Sequence, residues 1–159
     1  MKTHLALDKC RNQRGFVLLD ALVAIVIFSI GILGMVALQA SAVTMTSSAN
    51  YRINAAMLTD QVIAQMWGDT SSSLQTDFVG KGGTGGSQYT AWFNTLDCSS
   101  TTASTSCLPG VKANPPTIAI TQTNPAKRPN DYKVTVTINW QAPGDSSVHS
   151  YVSITQIGQ

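Results

Sequence analysis

The sequence predicts an α+β chain: one long N-terminal helix, half of it built for lipid, packed on a C-terminal antiparallel β-meander. Three observations predict it. Residues 21–38 carry no charge and are almost entirely apolar; residues 51–66 place apolar side chains at helical spacing; and residues 117–157 alternate apolar and polar with turn residues between the runs.

The first element is the apolar run, ALVAIVIFSIGILGMVAL, with Asp20 at its mouth. About 18 residues at 1.5 Å each span roughly 27 Å, close to the hydrocarbon thickness of a bilayer. Gly31 and Gly34 within it either soften the helix or let a neighbouring helix approach closely. Tyr51, Ala55, Leu58, Val62 and Met66 then fall on one stripe, which carries the helix to about Trp67, with Gly68 as the expected C-cap. Unbroken from Phe16, such a helix is roughly 78 Å long. Its weak point is ASAVTMTSSAN, residues 40–50, where Ser and Thr have modest helix propensity.

Residues 69–116 read as loop-rich. Gly80 to Gly85, GKGGTG, fits G-x-G-x-x-G in letters, but it lacks the preceding strand and following helix that a dinucleotide site requires, so a flexible loop is expected. The aromatic cluster YTAWF, Tyr89 to Phe93, is read as an anchor docked on the long helix, the alternative being an exposed adhesive patch. Three strands close the chain: Thr117 to Thr123 through Ile118 and Ile120, Tyr132 to Trp140 through Val134, Val136 and Ile138, and Val148 to Ile157 through Val152 and Ile154. Ala142-Pro143-Gly144-Asp145 supplies the turn between the last two.

Charge is asymmetric. Lys2, Lys9, Arg11 and Arg14 precede the apolar run against Asp8 alone, whereas from Phe16 onward six Lys/Arg face seven Asp, and the chain has no Glu. The nearly neutral downstream part has no basic field of the kind that drives nucleic-acid binding. Of three cysteines, Cys10 lies in the basic leader, while Cys98 and Cys107 bracket CSSTTASTSC. Export would join these two in a local disulfide worth roughly 2.5–3 kcal/mol on the chain-entropy argument. With only His4 and His149 as imidazoles and no Glu, neither a zinc site nor an H-E-x-x-H motif is available, and Asp145, Ser147 and His149 have no nucleophile turn to make them a triad. No enzyme, metal or cofactor is expected.

A carboxylate at the entrance of an apolar run costs roughly 2.5–3.5 kcal/mol on insertion scales and usually marks a function. A cleaved signal peptide, for which Ala40-Ser41-Ala42 offers an A-x-A site, has no use for Asp20; neither does a plain uncut anchor. Arg14-Gly15-Phe16, followed by an apolar run with an acid at the fifth residue after the glycine, resembles the class III signal of type IV prepilins and type II secretion pseudopilins. SIGILGMVALQ and AAMLTDQVIAQMW are similar to the PilV family of minor pilins, a likeness that covers residues 14 to about 68.

The resemblance implies cleavage between Gly15 and Phe16 by the prepilin peptidase and N-methylation of Phe16. Asp20 stands where the family usually has Glu, and would pair with the new Phe16 ammonium of its own or an adjacent subunit. The implied organisation is a leader over 1–15, a transmembrane and assembly half over 16–38, an amphipathic half over 39–68, and a pilin head over 69–159 with the Cys98–Cys107 loop and a three-stranded sheet. The implied partners are other minor pilins, the major pilin, the prepilin peptidase and the inner-membrane assembly platform. The implied location is the inner membrane, single-pass with a periplasmic head, then the pilus on the cell surface. A minor pseudopilin of a type II secretion system, and a secreted binding module with an ordinary signal peptide, are the alternatives.

Overall fold

The structure is a computed structural model that describes residues 14–69, 71–126 and 128–158. Most of the expected leader, with His4 and Cys10, lies outside the described residues. The chain divides into two compact units, Met1–Thr46 and Ser47–Gln159. The division falls inside the expected amphipathic half.

Helix α1 runs from Arg14 to Trp67 without interruption. The Ser/Thr-rich segment does not break it. Thr44 and Thr46 donate their hydroxyls to the carbonyls of Ala40 and Ala42 at 3.0 and 2.9 Å, and Ser29 does the same to Ile25 at 2.7 Å. Such back-bonding satisfies hydroxyls that would otherwise compete with the helix. Gly68 follows the last helical residue, but the end is closed by short i to i−3 bonds from Gly68 and Asp69 and not by a left-handed glycine cap.

In the first unit every described side chain from Phe16 to Thr46 is exposed, including the apolar ones. The helix is long and apolar enough to cross a membrane. An apolar surface of this extent needs lipid or other apolar chains around it.

The second unit has a core. Ala55, Leu58, Val62 and Met66 of α1 are buried in it, as the stripe requires, together with the inner face of the sheet. The sheet has five strands in the order β2-β1-β3-β4-β5, all antiparallel: β1 Gly80–Lys81, β2 Thr84–Gly85, β3 Thr117–Asn124, β4 Arg128–Trp140 and β5 His149–Gly158. The expectation of three strands is therefore corrected to five. The two additions come from the glycine stretch, which is a hairpin instead of a flexible loop. Gly82 and Gly83 have φ of 67° and 82°, the left-handed pair that a two-residue turn between twisted strands demands. Pro143 and Gly144, the latter at φ 90°, make the expected turn before β5, closed by Asp145 N–H donating to Ala142 O at 3.0 Å.

Two further corrections concern faces and helices. The expected inward set of the last strand, Val148 just before β5 and Val152 and Ile154 on it, is exposed, Val152 by 52% and Ile154 by 62%. Pairing decides this: inward Ile138 and Tyr132 of β4 lie opposite Tyr151 and Ile157, so the odd-numbered residues of β5 face the core. Residues 69–116 hold two helices, α2 Ser71–Asp77 and α3 Ser87–Leu96, instead of loop alone. Helix α3 buries Tyr89, Trp92 and Leu96, and Leu74 and Phe78 fill the core from α2 and the residue that follows it.

Candidate functional site

The amino-terminal segment holds three of the residues singled out from the sequence. Gly15 and Phe16 are in the first turn of α1, and Phe16 is 75% exposed. Asp20 is exposed six residues after Arg14, so it is no helix cap, and α1 has no acid in its first turn. Phe16 and Asp20 are four apart on one helix, one above the other, the spacing at which a charge at residue 16 and a carboxylate at residue 20 interact. Among the described residues no ion pair involves Asp20. Gly31 and Gly34 add a detail to the same surface: a methyl group built on either would meet nothing within 4 Å. Helix α1 runs through both without interruption.

The second site is the disulfide loop, in the other unit. Cys98 and Cys107 are bonded, as the sequence predicts for an exported chain. Both ends of the loop are tied to the core: Leu108 N–H donates to Leu96 O at 2.9 Å, Ser104 N–H donates to Thr95 O at 2.9 Å, and Leu108 and Val111 are buried. Asp97 opens the loop and accepts from the Ser99 N–H at 3.0 Å and the Ser99 hydroxyl at 2.8 Å. These bonds hold its carboxyl below the usual aspartate range, the backbone Ser99 N–H contributing most, against an opposing effect of burial, with the Ser99 hydroxyl and the Lys112 charge adding weaker attractions. A depressed carboxyl stabilises the fold above the unfolded-state value of about 3.9, and that stability is lost as pH falls through the lower folded value. Asp97→Asn should therefore lower stability at pH 7 and leave it nearly unchanged at pH 2. Denaturant titrations at the two pH values check this.

Thiol labelling under denaturing, non-reducing conditions should find Cys98 and Cys107 unreactive in exported protein, and Cys98→Ser with Cys107→Ser should cost roughly 2–3 kcal/mol of stability. Two labelled cysteines would contradict the bond.

The aromatic cluster is the anchor of the second unit and not an adhesive patch. The Trp92 indole N–H donates to the Leu58 carbonyl at 3.0 Å, which ties α3 to α1. The Tyr89 hydroxyl donates to Pro116 O at 2.7 Å and accepts from Gly83 N–H at 3.2 Å. Its ring lies on the glycine hairpin: a Cβ at Gly80 would sit 2.2 Å from Tyr89 Cγ, and one at Gly85 2.6 Å from Tyr89 Cδ1. The glycines thus make room for the aromatic ring. Burial pushes the Tyr89 phenol up from its ordinary value, opposed by the Gly83 N–H.

Of the tempting triad, His149 Nε2 and Asp145 Oδ2 are 2.9 Å apart and the His149 ring stacks on Trp140 at 5.7 Å, but Ser147 is exposed and makes no hydrogen bond with them. The pair straps the turn to the start of β5. No protein-family model, curated protein or solved structure matches the chain.

Proposed function

We propose that the chain is a minor pilin: a membrane-held precursor that the prepilin peptidase processes after Gly15 and that joins, or primes, a type IV pilus. The observation that carries this reading is the apolar stretch of α1 from Phe16 to Leu38, exposed throughout, which follows directly on Arg14-Gly15 and holds one carboxylate, Asp20, one turn from Phe16. An isolated carboxylate in such a surface is unfavourable unless a cation meets it, and cleavage at Gly15 creates one.

Assembly accounts for the rest of the helix. Side chains exposed from Phe16 to Leu38 are satisfied first by lipid and then by equivalent helices of other subunits, and Gly31 and Gly34 leave room for close approach. By this reading the partners are other minor pilins, the major pilin, the prepilin peptidase and the assembly platform, and the second unit stands on the periplasmic side before joining the pilus. It needs neither a cofactor nor catalysis of its own.

Removal of the gene, with re-expression of the chain as control, tests the reading against its nearest relative. Loss of surface pili with intact secretion of type II substrates supports a minor pilin. Loss of secretion with normal pili assigns the chain to a pseudopilin instead.

A further inference from the structure

Strand β5 lies at one edge of the sheet, with β4 on one side and no strand on the other. It pairs with β4 from Asp131↔Gly158 to Trp140↔His149 with no shift of register, so the edge carries no bulge. Among the described residues, no backbone hydrogen bond outside the β4 ladder engages it. Natural edge strands are usually blunted by charges, prolines or bulges. HSYVSITQIG has none of these; its one titratable group besides Tyr151 is His149, at its end and held by Asp145. Val152 and Ile154 stand exposed on the solvent face at its middle.

We propose that this edge pairs antiparallel with the β5 edge of a second copy of the chain, about a twofold axis at Ser153. Three features favour a second copy over an unrelated strand. The edge is neutral, so two copies bring no like charges together. An axis at Ser153 sets Val152 of each copy opposite Ile154 of the other, which covers both exposed aliphatic side chains, whereas an axis at Val152 or Ile154 sets an aliphatic side chain against Ser150 or Gln156. The same axis also overlaps the strands over nearly their full length, His149 opposite Ile157. One strand-to-strand contact lies at the low end of interface sizes, below about 1,200 Å² in total. The pairing is therefore reversible and favoured where chains are concentrated on one membrane. It rests on the sheet alone and is independent of the proposed function.

Disulfide trapping tests it in the full chain in detergent micelles, with Cys10→Ser as background and diamide as oxidant. Ser153→Cys should give a linked dimer, because the axis brings the two thiols opposite each other. Ser150→Cys should give at most a tenth as much, since the two copies of residue 150 are then roughly 20 Å apart. Adding Ile154→Lys to Ser153→Cys should cut the dimer at least tenfold without changing the melting curve, because residue 154 touches solvent and not the core. Equal trapping at 150 and 153, an absence of dimer at 153, or indifference to Ile154→Lys would each overturn the pairing.

Discussion

Asp20→Asn should be cleaved normally and yet be absent from pili. The peptidase reads the junction at Gly15, which this change does not touch. After cleavage, however, the Phe16 ammonium enters a low-dielectric bundle with no carboxylate to meet it, and breaking a buried pair costs roughly 3–5 kcal/mol. That is enough to reduce incorporation more than a hundredfold. Asp20→Glu keeps the charge on a side chain one methylene longer and should assemble at least as well as the natural chain. Asparagine caps a helix about as well as aspartate, so loss of a cap cannot account for the effect. Equal incorporation of Asp20→Asn and the natural chain, scored on membrane and pilus pools, would refute charge pairing.

The second large effect is expected in the other unit. Tyr89→Ala should cost about 3–5 kcal/mol, the usual range for deleting a buried aromatic ring. The ring is the floor beneath Gly80 and Gly85, and its hydroxyl joins Pro116 and Gly83, so removal leaves a cavity and unsatisfied backbone groups at once. Tyr89→Phe keeps the ring and should cost only about 1–3 kcal/mol, for the polar partners left behind. Thermal unfolding of the two variants separates packing from hydrogen bonding. A Tyr89→Phe loss as large as that of Tyr89→Ala would put the weight on the hydroxyl.

What could be read from the sequence depended on how many residues shared one periodicity. The helix stripe from Tyr51 to Met66 and the strand from Tyr132 to Trp140 repeat the same signal several times, and both hold. β5 offered two competing sets, Val148, Val152 and Ile154 against Tyr151 and Ile157, and the more aliphatic set is the exposed one. Only its pairing with β4 fixes the face, and pairing is not a local property. Helix α3 was legible in part. Tyr89, Trp92, Phe93 and Leu96 stand at i, i+3, i+4 and i+7, but Gly86 caps it without a side-chain bond and five of its ten residues are polar Ser, Gln, Thr or Asn. The glycine hairpin was hidden because a rigid turn and a flexible loop share their composition. What distinguishes them is Tyr89, which lies nearby in sequence but whose packing becomes apparent only in the fold. The amino-terminal site needed least from the fold, since Gly15, Phe16 and Asp20 lie within two turns of one helix.

The most direct measurement is the identity of the first residue of the mature chain, by intact mass and N-terminal sequencing of protein recovered from cells that make type IV pili. Processing after Gly15 predicts a chain that starts at N-methyl-Phe16 and lacks Cys10. A chain that starts at Val43, after Ala40-Ser41-Ala42, would contradict the account and leave a secreted module with no membrane helix.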